Sequence, residues 1–205
     1  MPAALLTVFD MNEPSKPKIL NAVLDANVLY PAPMRDLLMT LAARDLYLPR
    51  WTQTIHDEWI RNVLKNLPHV TPERLARTKS LMLEHIPKAM VTGFEDLIPE
   101  LQLPDPDDRH VLAAAIHAGA DVIVTNNRKD FPIRILEPYR ISTITPDAFV
   151  MSLAESKPEQ VLASLRRQRS QLKNPPTSQE DFLATLEACG MKALMAWVRS
   201  QDEPI

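Results

Sequence analysis

The 205-residue chain predicts an α/β protein built on a mainly parallel sheet, and three features carry that expectation. Two short apolar runs, Ile19–Leu24 and Ala120–Val124, have the length and composition of strands buried on both faces. Segments with apolar residues at helical spacing alternate with such runs along the chain. Both runs exit onto polar residues, Asp25-Ala-Asn27 and Thr125–Asp130, and in open α/β sheets strand exits line the ligand crevice.

Taken in order, residues 1–18 form an N-terminal arm, polar and Pro-containing after a brief apolar start. Ile19–Leu24 is the first strand. Pro31 and Pro33 break the chain before a helix over Met34–Arg44, with Leu37, Leu38 and Leu41 as its inner positions. Leu46–Leu48 is a second strand, closed by Pro49. Thr52 or Thr54 caps a helix over Gln53–Leu67. Its core stripe is Ile55, Trp59, Val63 and Leu67, and Glu58 stands at one edge of that stripe. Thr71-Pro72 opens the next helix, which ends before Pro87. Ala89–Val91 is a candidate third strand, and Glu95–Leu103 an acidic connection.

The densest stretch is 104–131. Asp105, Asp107 and Asp108 precede a helix over His110–Ala118, and Gly119 ends it as a residue in the left-handed region would. The Ala120–Val124 strand follows and exits onto Thr125-Asn-Asn-Arg-Lys-Asp130. Arg140–Ile144 is the last strand, and Pro146-Asp147 starts a helix running to about Ala154. Beyond residue 156 the character becomes helical. A basic helix spans Glu159–Leu172 and stops at Asn174-Pro-Pro176. Ser178–Asp181 resembles a capping box before Phe182–Cys189. Gly190 breaks that helix and Met191–Ser200 resumes it. The expected division is an arm over 1–18, an α/β domain over 19–156 and a helical C-terminal extension over 157–205.

Composition removes several classes. Three glycines leave no Gly-rich phosphate loop. Cys189 is the only cysteine, which excludes an intrachain disulfide and a cysteine-based zinc site and favours the cytoplasm. The five histidines lack HExxH spacing and read as surface or core residues. No G-x-S-x-G elbow is present. A net charge of −3 offers no global basic field. The first residues show no secretory signal, and no apolar run approaches a membrane span.

Carboxylates at strand exits and helix starts remain: Asp25, Glu58, the Asp105/Asp107/Asp108 group and Asp130. Three or four such groups in one crevice suit a hard cation, Mg2+ or Mn2+, which favours oxygen ligands. Singly, each has a plainer reading. Asp105 and Asp107 fit helix caps, Asp25 a turn residue, Glu58 a solvated face and Asp130 an Asx turn. Asp57 is nearly as well placed as Glu58. Arg35, Arg50, Arg109, Arg128 and Lys129 lie close in sequence to these acids, either as a phosphate-binding rim or as their counter-charges. Tyr30, Tyr47 and Trp51 fit core or rim packing better than base stacking.

The segments LDANVLY (24–30), HDEWIRN (56–62), DPDDRHVLAAAI (105–116) and VTNNRKDF (124–131) resemble the PIN-domain family, most closely its bacterial VapC-like toxin branch. The resemblance covers about residues 19–150. It implies a three-layer α/β/α fold and a metal-dependent endoribonuclease that hydrolyses RNA with a metal-activated water. Mapped onto this chain, the family's four acids fall on Asp25, Glu58, Asp108 and Asp130. Asn27, Thr125, Asn126 and Arg109 follow as substrate or supporting residues, and Asp105 and Asp107 are accessory. Many members carry Asp where this chain has Asn127, so Asp130 must supply the fourth charge. A catalytically weak PIN domain that binds RNA or protein is the alternative. The resemblance further implies a role as the toxin of a type II toxin–antitoxin pair, with a homodimer, a small antitoxin partner and an RNA substrate.

Overall fold

Strands β1 (Asn21–Leu24), β2 (Leu48–Arg50), β3 (Val122–Val124) and β4 (Ser142–Ile144) form one parallel sheet in the order β2-β1-β3-β4. The computed structural model describes residues 19–173 and 175–205, so the arm expected over 1–18, and Asn174 of the expected stop, lie outside the described residues. The central strands β1 and β3 are the most apolar and are buried almost throughout, whereas the edge strands are partly exposed. That contrast is what a sheet covered on both faces requires.

Helices fill the crossovers: α1 (Ala26–Leu29) and α2 (Ala32–Ala42) between β1 and β2, then α3 (Gln53–Asn66), α4 (Pro72–His85) and α5 (Arg109–His117) before β3. Helix α6 (Ile133–Leu136) leads to β4, and α7 (Pro146–Ser156), α8 (Pro158–Gln171), α9 (Gln179–Ala188) and α10 (Lys192–Arg199) complete the chain. The path moves one way from β1 to β2 and the other way from β2 past β1 to β3. Right-handed crossovers therefore put α2 and α5 on opposite faces, giving three layers. Helix α5 packs on β1 and β3 and is buried from His110 through Ala115. Thr52 caps α3 by accepting the Ile55 N–H at 3.1 Å, a contact typically worth about 1 kcal/mol. Gly119 takes φ +57, as its place after α5 predicts.

All four strands begin two residues later than expected, the last at Ser142 because Arg140 takes φ 58, and a fifth candidate is not a strand. The second begins at Leu48, not Leu46, and runs to Arg50. Asp45 adopts φ 56, Leu46 N donates to Leu41 O at 3.2 Å and the Tyr47 hydroxyl donates to Leu38 O at 3.0 Å. Leu46 and Tyr47 thus fold back onto α2, and pairing starts where Leu48 N donates to Leu20 O at 2.8 Å. Pro49 is tolerated because β2 is an edge strand. The candidate strand at Ala89–Val91 is reduced to a single bridge, Trp51 to Met90, following a 3-10 turn at Pro87–Ala89. Pro87 and Gly93, the latter at φ 78, leave too few residues between them to extend the pairing.

The C-terminal helices wrap α2. Helix α8 packs on α2, and Gln168 Nε2 donates to Pro33 O at 2.8 Å. Helix α7 packs on α8 and α10, and the Asp147 carboxylate accepts the N–H groups of Ala193 and Leu194 at 2.8 and 2.9 Å, satisfying the first turn of α10. By its contacts α7 therefore sits with the helices that follow it. Among the described residues no helix is long and apolar enough to cross a membrane.

Candidate acidic site

The site lies where β1 and β3 end. From β1 the chain leaves toward β2, and from β3 toward β4, so the carboxyl ends of these neighbours face the crevice of a topological switch point. Asp25 follows β1 directly, and its N–H still donates to Val124 O at 3.1 Å. Its carboxylate is buried, 4% exposed. Thr125, the first residue after β3, donates its hydroxyl to Asp25 Oδ2 at 2.7 Å. The Asn27 amide donates to that same Asp25 oxygen and to Thr125 Oγ1, the latter at 2.9 Å. Asn27 Oδ1 in turn accepts the Asn126 N–H at 3.0 Å. Asn27, Thr125 and Asn126 thus brace the two strand exits. Burial raises the Asp25 carboxyl above its ordinary range, the Thr125 hydrogen bond opposes that rise, and the nearby Glu58 charge adds to it.

A second group of acids comes from two single-turn 3-10 helices. Asp105 caps the turn Pro106–Asp108 by accepting the Asp107 N–H at 2.9 Å, so its expected capping role holds. Asp130 closes the turn Arg128–Asp130, with its N–H on Asn127 O at 3.1 Å and one carboxylate oxygen accepting from the Asn127 amide. Asp105, Asp108 and Asp130 each offer a carboxylate oxygen, and these atoms lie within 4.8 Å of one another. Asp108 Oδ2 is buried with no hydrogen-bond partner among the described residues. The Asp108 carboxyl is pushed up to about 7, by burial first and then by the charges of Asp25, Asp105 and Asp130.

Of the four acids expected to share a site, Asp108 and Asp130 fall in this triad. Asp25 and Glu58 stand outside it, although the Asp25 charge acts on Asp108, and Asp105, expected as accessory, is a full member. Glu58 projects from α3 and its Oε1 lies 3.0 Å from His110 Nε2 on α5. Asp57 is exposed and accepts from Gln53 Nε2 at 2.6 Å, so the two adjacent carboxylates have separate surroundings. Asp107 is exposed and joins neither group.

His110 is the residue that sequence reasoning missed. A histidine at the buried start of an apolar helix was the available signal, but the spacing does not reveal a partner on α3. The remaining assignments sort simply. His56 is a core histidine whose Nδ1 accepts from Trp59 Nε1 at 3.0 Å, and burial lowers it to about 4. Tyr47 and Trp51 are fully buried core residues. Arg35 stacks 4.6 Å above the Trp59 ring and donates to Leu29 O at 2.7 Å. Arg50 donates to Asn21 Oδ1 at 2.8 Å. Arg128 reaches Thr143 Oγ1 at 3.4 Å, and the Arg109 Nε is buried without a partner. Among the described residues no ion pair joins these cations to the acidic triad.

Three clustered carboxylates, one with an orphaned buried oxygen and, among the described residues, none in an ion pair with an arginine or lysine, form a donor set that fits a hard divalent cation. Without a cation, burial and then the neighbouring carboxylates favour a proton on Asp108 near neutral pH.

Comparison with known proteins adds two family matches. A family described as PIN domain matches residues 21–129, more than half of the chain, and one described as VapC50 C-terminal domain matches residues 146–200. The second match starts with α7, the helix capping α10 through Asp147. Among curated proteins, "Putative ribonuclease VapC50" of Mycobacterium tuberculosis is 36% identical over 98 residues, which span 48% of this chain and 57% of that protein. No solved structure matches.

Proposed function

The chain belongs to the PIN-domain family, and we propose that it is a divalent-metal-dependent endoribonuclease, the toxin of a toxin–antitoxin pair. The observation that carries this reading is the triad of Asp105, Asp108 and Asp130 beside the buried Asp25 at the switch point of the sheet. The ribonuclease name of its M. tuberculosis relative supports RNA as the substrate class.

In this reading Asp108 and Asp130 hold Mg2+ or Mn2+ together with Asp105, and Asp25 and Glu58 complete the charge around it. When bound, such an ion polarises a phosphate oxygen and lowers the pKa of water, the two supplies that phosphodiester hydrolysis needs. The chain's own residues do the rest. Thr125 and Asn27 fix the Asp25 carboxylate, so the negative field at the crevice is set before substrate arrives. His110 orients Glu58 toward the same crevice, where that carboxylate can accept a proton from the attacking water. Asn127 does the equivalent for Asp130, so the absence of an acid at position 127 is met by a donor that positions the acid at 130. Asn126 and Arg109 are candidates for contact with the substrate phosphate, Asn126 because it is exposed at the rim and Arg109 because, among the described residues, it is in no ion pair and directly follows Asp108. The same reading carries a second copy of the chain and a small antitoxin protein as partners, in the cytoplasm.

Because water attacks, and not the ribose 2′-hydroxyl, the products carry a 3′-hydroxyl and a 5′-phosphate. The test is end analysis of RNA and DNA oligonucleotides of one sequence after incubation with protein and Mn2+. Cleavage of RNA alone with 5′-phosphate ends is expected. A 2′,3′-cyclic phosphate, or equal cleavage of DNA, contradicts the reading.

A further inference from the structure

A cavity of about 630 Å3 is bounded by Arg128 and Lys129 of the Arg128–Asp130 turn and by the segment from Phe131 to Thr143. We propose that it is the subsite for a nucleotide flanking the scissile phosphate of a single-stranded RNA. The inference rests on reading the acidic triad as a nuclease centre.

Position is the first argument. Arg128 and Lys129 line the cavity and immediately precede Asp130 in one helical turn, so a single turn supplies both a triad acid and two cations of the cavity wall. Charge is the second. Arg128, Lys129 and Arg140 face one carboxylate, Glu137, and among the described residues none of the three cations is in an ion pair. Among the described residues the Arg128 guanidinium is tethered only at the Thr143 hydroxyl, 3.4 Å from its Nε, which leaves Nη1 and Nη2 available to a phosphate. Cations left unpaired beside a cluster of acids suit a polyanion that must cross both.

Backbone conformation is the third. Arg140 holds φ 58, a left-handed position that an arginine takes only at a cost, where glycine or asparagine would be the ordinary choice. Arg140 nevertheless occupies this position in the cavity wall. Ile133, 79% exposed at the same wall, offers the apolar surface on which a base can lie. The volume is within the range of about 300–1,000 Å3 typical of small-ligand sites and suits a nucleotide.

The left-handed backbone supplies a variant that removes the guanidinium without straining the fold. Arg140→Gly suits φ 58 better than arginine does, so its melting temperature should equal or exceed that of the parent. Binding of a labelled single-stranded RNA is measured by fluorescence anisotropy in an Asp108→Asn background, which does not cut, and cleavage with Mn2+ in the otherwise unaltered protein. Arg140→Gly and Arg128→Ala should each weaken RNA binding about tenfold and lower the salt slope by about 0.7, the loss of one phosphate contact. In cleavage they should raise KM with kcat little changed. Arg44→Ala, which deletes a charge at a separate cavity between α2, α4 and α8, should leave both unchanged.

Unchanged RNA affinity in both pocket variants overturns the subsite and leaves the nuclease reading standing. An unaltered protein that cuts nothing, yet binds RNA through Arg128 and Arg140, overturns the nuclease reading and the subsite with it, and leaves an RNA-binding pocket in their place. Failure to bind RNA at all overturns the subsite. Polyglutamate binding at this pocket more tightly than RNA overturns it in favour of an acidic protein partner.

Discussion

His110 Nε2 lies 3.0 Å from Glu58 Oε1, so the helix that follows the acidic turn holds the carboxylate that α3 delivers. Fifty-two residues separate them in sequence, and both side chains are largely withdrawn from solvent. Contacts that orient side chains around a metal site are commonly worth about 10–100-fold in activity. His110→Ala should therefore lower kcat by roughly tenfold or more with KM nearly constant, while His110→Gln, which keeps a polar group near Glu58, should retain more activity. Steady-state cleavage of one RNA oligonucleotide checks both.

Thr125→Val tests the brace across the strand exits. The Thr125 hydroxyl holds the Asp25 carboxyl down against the upward push of burial, so its removal raises that carboxyl further. If Asp25 must be ionised to act, the acid limb of the pH–rate profile moves to higher pH. Activity at high pH should be much less affected.

The Asp108 carboxyl gives a stability prediction with a definite sign. Its folded value of about 7 stands above the ordinary 3.8, so between those pH values the folded protein keeps a proton that the unfolded chain has lost. Stability from this group is therefore greatest at low pH and declines as pH rises through 7. The metal-free Asp108→Asn protein should melt close to wild type at pH 5 and above it at pH 8. Burial of neutral His56 contributes the opposite slope, with stability lost as pH falls from about 6.5 toward 4, but it is common to both proteins and cancels in the comparison. Mn2+ should raise the wild-type melting temperature more at pH 8 than at pH 5, as seen by calorimetry.

Asn127→Ala removes the amide that holds Asp130 in the triad. Weaker binding of Mn2+ by calorimetric titration and a roughly tenfold loss of cleavage should follow. An unchanged metal affinity would mean that Asp130 needs no positioning, or holds no ion.

Much of the fold was legible because its signals are local. Apolar runs mark β1 and β3, which are buried on both faces, and Gly119 marks the end of α5. Leu46 and Tyr47 were misread as strand because their burial comes from packing back on α2 through the left-handed Asp45, a turn that aspartate does not announce. At the site, the strand exit pointed to Asp25 and the acidic turn to the Asp105/Asp107/Asp108 group, and the family resemblance selected Asp108 and added Thr125. The membership of Asp105 in the triad and the pairing of Glu58 with His110 depend on how distant segments meet, which no spacing along the chain records. Asn127 reads in sequence as a missing acid, yet in three dimensions it is a donor to the neighbouring one.

Cleavage of cellular RNA by the purified protein, with Mn2+ or Mg2+ against EDTA and with Asp108→Asn alongside, is the most direct measurement. Discrete fragments that need the metal and vanish in the variant are expected. Cleavage that persists in EDTA or in Asp108→Asn, or no cleavage by folded protein with either metal, would contradict the nuclease assignment of the acidic site.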